Sequence, residues 1–172
     1  MRLLDYLATR LPEKDIFLAK HHCGILLHRP FDAPEEQRTF ETISASIKWR
    51  RKAEFSVEAH PDLMVTPIQK RLDAIFSGHV SVGRTRTSDI RIPHADVSKF
   101  HAYFAVDPSG GHTLTDAGSM NGTFVNDVRV ARRETVPITD GVVIYFAHYH
   151  IRFHLPAGFY AMLSELARQM SR

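Results

Sequence analysis

Between residues 60 and 155 the chain breaks into short apolar runs, at 63–66, 79–82, 101–106, 112–115, 123–125, 142–146 and 149–155. None is long enough for a helix. They are separated by turn-forming stretches such as Pro108-Ser109-Gly110-Gly111, Asn121-Gly122 and Asp140-Gly141. Many short strands at close spacing with polar turns favour a β-sandwich or barrel over a parallel α/β sheet, whose strands would need intervening crossover helices.

The flanks have a different texture. Leu3, Leu4, Leu7 and Leu11 recur at helical spacing before Pro12, and Ile16, Phe17 and Leu18 suggest a second helix that Gly24 would end. Gly24-Ile25-Leu26-Leu27 is short and apolar, compatible with a strand. Asp32 and Pro34 look like a helix start, with Phe40, Ile43 and Ile47 at helical intervals and Glu35 and Glu36 at the positive end of its dipole. After Pro156 the offsets of Phe159, Met162, Leu163, Leu166 and Met170 give a terminal amphipathic helix, whose apolar stripe is expected to dock on its own domain. The expected division is a mostly helical N-terminal extension over 1–59, the β domain over 60–155 and the helix over 156–172.

Composition narrows the function classes. The net charge of +3 is spread along the chain, with only Lys48-Trp49-Arg50-Arg51-Lys52 as a local cluster, so a nucleic-acid partner is not expected. That run reads as a solvated face with Trp49 tucking in its ring. The single cysteine, Cys23, excludes an internal disulfide and a thiolate zinc site. No window is long and apolar enough to span a membrane, and the first residues lack the apolar stretch of a signal peptide; a cytoplasmic location is the expectation.

The β region collects its unusual residues in three loops: Gly83-Arg84, Val97-Ser98-Lys99-Phe100-His101 and Ser119-Met120-Asn121-Gly122-Thr123. A serine hydrolase would need His101 to take the Ser98 proton and a third group to orient it, and the glycine-flanked elbow of such a nucleophile is missing. An anion site suits the inventory better. A guanidinium, an ammonium, a hydroxyl and a carboxamide are the donors that hold a phosphate and its surroundings. His148, His150 and His154 share one face of a strand, but Tyr149, Ile151, Phe153 and Leu155 occupy the other as core, so the histidines read as its outward side and not as metal ligands. His21-His22-Cys23 lacks a spaced partner set.

The stretches GRTRTSDIRIPHADVSKFHAYF and LTDAGSMNGTFVN resemble the signature of the forkhead-associated (FHA) domain: Gly-Arg, then Ser-x-x-His, then Asn-Gly-Thr with a following Val-Asn. Asp89, Ile90, Asp116, Asp140-Gly141 and Ile144 also fall where family members have them. The resemblance implies a mainly β fold, an FHA-like two-sheet β-sandwich. It implies phosphothreonine binding in which Arg84 pairs with the phosphate, Ser98 donates its hydroxyl, Lys99 stands beside the phosphate and Asn121 holds the peptide backbone. Arg86, Thr87 and the loop after Asn126 would meet the residues following the phosphothreonine. Gly83, His101, Gly122 and Thr123 would support the site. Three positions depart from the family pattern: Met120 replaces a hydroxyl residue, Asp127 a glycine and Val142 an aspartate.

The expected function is a non-catalytic, phosphothreonine-dependent interaction module in Ser/Thr kinase signalling. Its expected partner is a threonine-phosphorylated protein or peptide, from a Ser/Thr kinase or its substrate, with no cofactor, metal ion or membrane. The alternative is a phosphate-independent adaptor that uses the extension or the terminal helix as its partner surface.

Overall fold

The computed structural model describes residues 1–8, 11–31, 62–72 and 78–170. The helix expected after Asp32 and the basic cluster around Trp49 lie outside the described residues.

The described residues form strands β1 (Ile25–His28), β2 (Met64–Pro67), β3 (Val80–Gly83), β4 (Ile90–Arg91), β5 (Ala102–Val106), β6 (His112–Asp116), β7 (Thr123–Val125), β8 (Val128–Arg129), β9 (Thr135–Pro137), β10 (Val143–Phe146) and β11 (Tyr149–His154). Helices α1 (Leu3–Ala8) and α2 (Lys14–Lys20) precede them and α3 (Pro156–Met170) follows. The strands make one sheet in the order β2-β1-β11-β10-β7-β8 and a second in the order β4-β3-β5-β6-β9. Among the described residues only β3 and β4 pair in parallel; the other neighbouring strands are antiparallel, including the hairpins β5–β6, β7–β8 and β10–β11.

Alternation sets which side chains meet between the sheets. Ala102 and Phe104 of β5, Ile144 and Phe146 of β10, and Ile151 and Phe153 of β11 are buried there with Leu26, Val82 and Leu114. Burying each of the phenylalanines contributes roughly 2–3 kcal/mol before entropic costs. Val142, where the family pattern has an aspartate, belongs to this core.

The segment expected to be an extension supplies β1, which lies inside the six-stranded sheet between β2 and β11. All four of its residues are buried, because both of its faces are covered. Leu26 faces the sandwich, while Ile25 and Leu27 join Leu3, Phe17, Leu63, Val65, Phe159 and Leu163 in a second core beneath the helices. The α3 stripe docks here as expected. Tyr6 meets Phe159 edge-on at 5.6 Å, and the Tyr160 hydroxyl donates to the Pro12 carbonyl at 3.1 Å. No helix among the described residues is long and apolar enough to cross a membrane.

One face reads differently from expectation. His154 is on the outer side of β11 but is buried, because the chain turns straight into α3 and lays Phe159 6.1 Å from its ring. Asp140 lies 3.4 Å from its Nδ1 and accepts the Leu155 amide at 2.7 Å, closing the corner between β11 and the helix. At the β7–β8 hairpin, Asn126 (φ 47°) and Asp127 (φ 68°) both take left-handed backbone, the requirement of a two-residue turn that follows the twist of its strands. Asp127 meets with an aspartate the conformation for which the family pattern has a glycine, and aspartate tolerates it better than most residues.

His28 makes the fold acid-sensitive. Its Nδ1–H donates to the Arg29 carbonyl at 2.6 Å, its Nε2 meets the Thr66 hydroxyl at 2.9 Å, and the ring stacks on Phe31 at 4.0 Å. Burial lowers its pKa from 6.5 to about 4. On acidification the unfolded chain therefore takes up this proton first, so the neutral ring's full stabilisation holds above pH 6.5 and is lost between pH 6.5 and 4. Urea denaturation is expected to show a loss of roughly 3 kcal/mol across that window from this group, with a shallower slope in His28→Gln.

Candidate functional site

His101 joins the three loops at one end of the sandwich. It is fully buried. Its Nδ1 accepts the Ser98 amide at 3.1 Å, and its Nε2 lies 3.2 Å from the Gly122 carbonyl. An Nδ1 that accepts must be unprotonated, so Nε2–H is the donor to Gly122. Its backbone amide donates to Val82, its carbonyl accepts from Ala117, and its ring meets Phe146 edge-on at 5.7 Å. Burial depresses its pKa, which keeps the imidazole neutral. Both ring nitrogens are thus committed to backbone groups. The Ser98 hydroxyl does not meet this ring, and the pair is not a nucleophile with its base.

The three loops come together around this brace. The Arg84 amide donates to the Ser98 carbonyl at 3.1 Å, joining the first loop to the second, and the Arg84 side chain is exposed. The Ser98 hydroxyl accepts the Met120 amide at 3.1 Å, joining the second loop to the third. Accepting through a lone pair leaves its hydrogen to donate. Asn121 donates from Nδ2 to the Asp96 carbonyl at 2.8 Å, which retains its oxygen and a second N–H for another partner. Lys99, Arg86 and Met120 are exposed, Met120 at 78%. The Lys99 carbonyl turns inward, where the Thr85 hydroxyl donates to it at 3.2 Å. Arg86 accepts at its own carbonyl from the Arg71 guanidinium at 2.6 Å.

Two glycines admit this convergence. A Cβ on Gly83 would stand 2.2 Å from the Lys99 carbonyl oxygen, so the first two loops could not close on each other with any side chain there. Gly122 has φ 87° and lies under Arg129, whose Nε would be 3.0 Å from an added Cβ.

Asp116 organises the third loop, and its role emerges only in three dimensions. Buried at the end of β6, it accepts from the Gly118 amide (2.8 Å), the Ser119 amide (2.9 Å), the Ser119 hydroxyl (2.6 Å) and the Thr123 hydroxyl (2.6 Å). Burial raises its pKa, but these bonds outweigh it and hold the carboxyl below the usual range. Ser119 then passes the order on by accepting the Gly122 amide at 3.0 Å. The spacing Asp-x-Gly-Ser, an Asx-turn signature, was the available signal. Asp89 does similar work for the first loop, accepting the Ser81 amide and hydroxyl at 2.8 and 2.7 Å and the Arg71 amide at 3.0 Å. Arg129, also absent from the expected set, stacks over Phe124 at 5.8 Å and adds a second guanidinium beside Gly122.

The family model for the FHA domain matches residues 80–147, from β3 through β10. The chain carries an FHA domain. This domain is similar to part of an ABC transporter ATP-binding/permease protein of Mycobacterium tuberculosis, 37% identical over 76 residues, covering 44% of this chain and 8% of that one. The E3 ubiquitin-protein ligase CHFR of Pongo abelii is 33% identical over 69 residues, covering 40% of this chain and 12% of the ligase. The chain therefore spans a small part of either relative. Among solved structures, Mycobacterium tuberculosis EmbR in complex with a low affinity phosphopeptide is 26% identical with a TM-score of 0.45, covering 53% of this chain and 21% of that one. The FHA match leaves out β1, β2, β11 and the helices, which complete one sheet and cover its outer face.

The tight approach at Gly83 yields a direct test. Gly83→Ala is expected to lower stability by about 2 kcal/mol, read by urea denaturation, because the Lys99 carbonyl must retreat and take Ser98 with it.

Proposed function

We propose that this FHA domain reads threonine phosphorylation on a partner protein, binding without catalysis. The supporting observation is the convergence of Arg84, Ser98 and Asn121 on one end of the sandwich through bonds that link their three loops. A phosphate there would receive charge-assisted bonds from the Arg84 guanidinium and the Ser98 hydroxyl, with Lys99 close by. Asn121 would hold the peptide backbone through its remaining amide valences, and Arg86 and Arg129 would meet the flanking residues. The loop carboxylate that could oppose an anion, Asp96, lies 3.1 Å from His148 Nδ1 and 3.8 Å from His94 Nδ1. Such a module serves Ser/Thr kinase signalling, because phosphorylation adds the charge and acceptor oxygens that the unmodified hydroxyl lacks.

Exposed Met120 supports a second reading, a phosphate-independent contact through the same loops. An apolar side chain at this position also removes a hydroxyl that would help to distinguish threonine from serine.

Calorimetry with matched peptides separates these readings. Binding is expected for the phosphothreonine peptide, with at least a tenfold loss in Arg84→Ala at unchanged near-UV circular dichroism, since a charged hydrogen bond contributes about 1.5–3 kcal/mol. Equal affinity for phosphorylated and unmodified peptides, or for wild type and Arg84→Ala, would contradict phosphate reading.

A further inference from the structure

Beside the phosphopeptide loops lies a second group of side chains with different chemistry. His94 and Asp96 lie in the connection between β4 and β5, and His148 lies in the turn between β10 and β11. One ligand atom from each is within 4.8 Å of the others. The Asp96 carboxylate is 3.1 Å from His148 Nδ1 and 3.8 Å from His94 Nδ1. The two imidazoles meet edge-on at 4.8 Å, and Tyr149 packs against both, at 5.2 Å from His94 and 4.4 Å from His148. The histidines are partly buried and the carboxylate is about half exposed, so the group is formed yet open to solvent.

We infer that His94, Asp96 and His148 form a site for a borderline-soft divalent transition-metal ion, with Zn²⁺ the best match. Two imidazole nitrogens and one carboxylate oxygen make a three-ligand set that leaves a coordination position for water. Ligand atoms around tetrahedral Zn²⁺ stand about 3.3 Å apart, so the widest pair needs to close by about 1.5 Å. One local bond has to yield: His94 Nδ1 accepts the Asp96 amide at 3.2 Å, and coordination through that nitrogen replaces it. Hard cations such as Mg²⁺ are disfavoured because they take oxygen ligands and keep their water. The sequence reads His148, His150 and His154 as the outward side of one strand and not as ligands; in the fold His148 lies in the turn before β11 and meets His94 and Asp96 of a different loop.

Occupancy has a structural consequence. Asp96 offers its carbonyl to Asn121, so an ion held by its carboxylate fixes the backbone that positions the third loop.

The test uses the full chain, stripped of metal, in calorimetric titrations with ZnCl₂ and MgCl₂ and a visible-absorption titration with CoCl₂. One equivalent of Zn²⁺ is expected to bind, Co²⁺ to give the intense bands of low coordination number, and Mg²⁺ to give no heat. Asp96→Asn and His148→Gln are each expected to weaken Zn²⁺ at least tenfold. Imidazole ¹⁵N shifts of the wild type are expected to move for His94 and His148 on Zn²⁺ addition, a readout that needs no variant. Absence of Zn²⁺ binding, unchanged affinity in both variants, or ¹⁵N shifts confined to other histidines such as His21 and His22 would overturn the assignment.

Discussion

The site depends on one buried neutral imidazole. Three loops leave different strands of the sandwich, and nothing in strand pairing alone obliges them to converge. His101 makes them do so by accepting the amide of Ser98 and donating to the carbonyl of Gly122, while its own backbone amide is held by β3. A protonated ring could not accept from Ser98, and a buried charge would stand against its apolar surroundings at Phe146. Fold and site therefore share a single protonation state.

The surroundings make that brace rigid. The core between the sheets presses Phe146 against the imidazole, and Asp116 and Asp89 each lock an adjoining loop through several hydrogen bonds. The elements outside residues 80–147 act further away. Strand β1 joins the six-stranded sheet between β2 and β11, and the helices cover its outer face with Phe159 and Leu163. A strand buried on both faces needs both layers, which is why a segment that reads as an extension contributes to the sandwich.

The legible parts of the sequence were those with a local physical signal. Alternating strands such as β5 and β11 could be located, and the α3 stripe was readable from its helical offsets. Strands β4 and β8 have two residues, too few to show an alternation, both residues of β8 are exposed, and β9 exposes its first and last residues and ends on a proline. The FHA signature marked Arg84, Ser98 and Asn121 as one group, and the structure links their loops. Arg129 and the His94, Asp96 and His148 group went unread because their residues come from separate turns that only the folded chain brings together. The burial of His154 had the same cause: its neighbours on β11 predicted an outward face, and the following helix covered it.

The state of His101 is the most direct measure of this account. Imidazole ¹⁵N chemical shifts of the labelled chain, followed from pH 8 downward, are expected to show a neutral Nε2–H tautomer that persists below 6.5, the ordinary midpoint for a histidine. A ring that titrates at its ordinary value, or that carries its proton on Nδ1, would mean that Ser98 and Gly122 are not held as described and that the three loops converge for another reason.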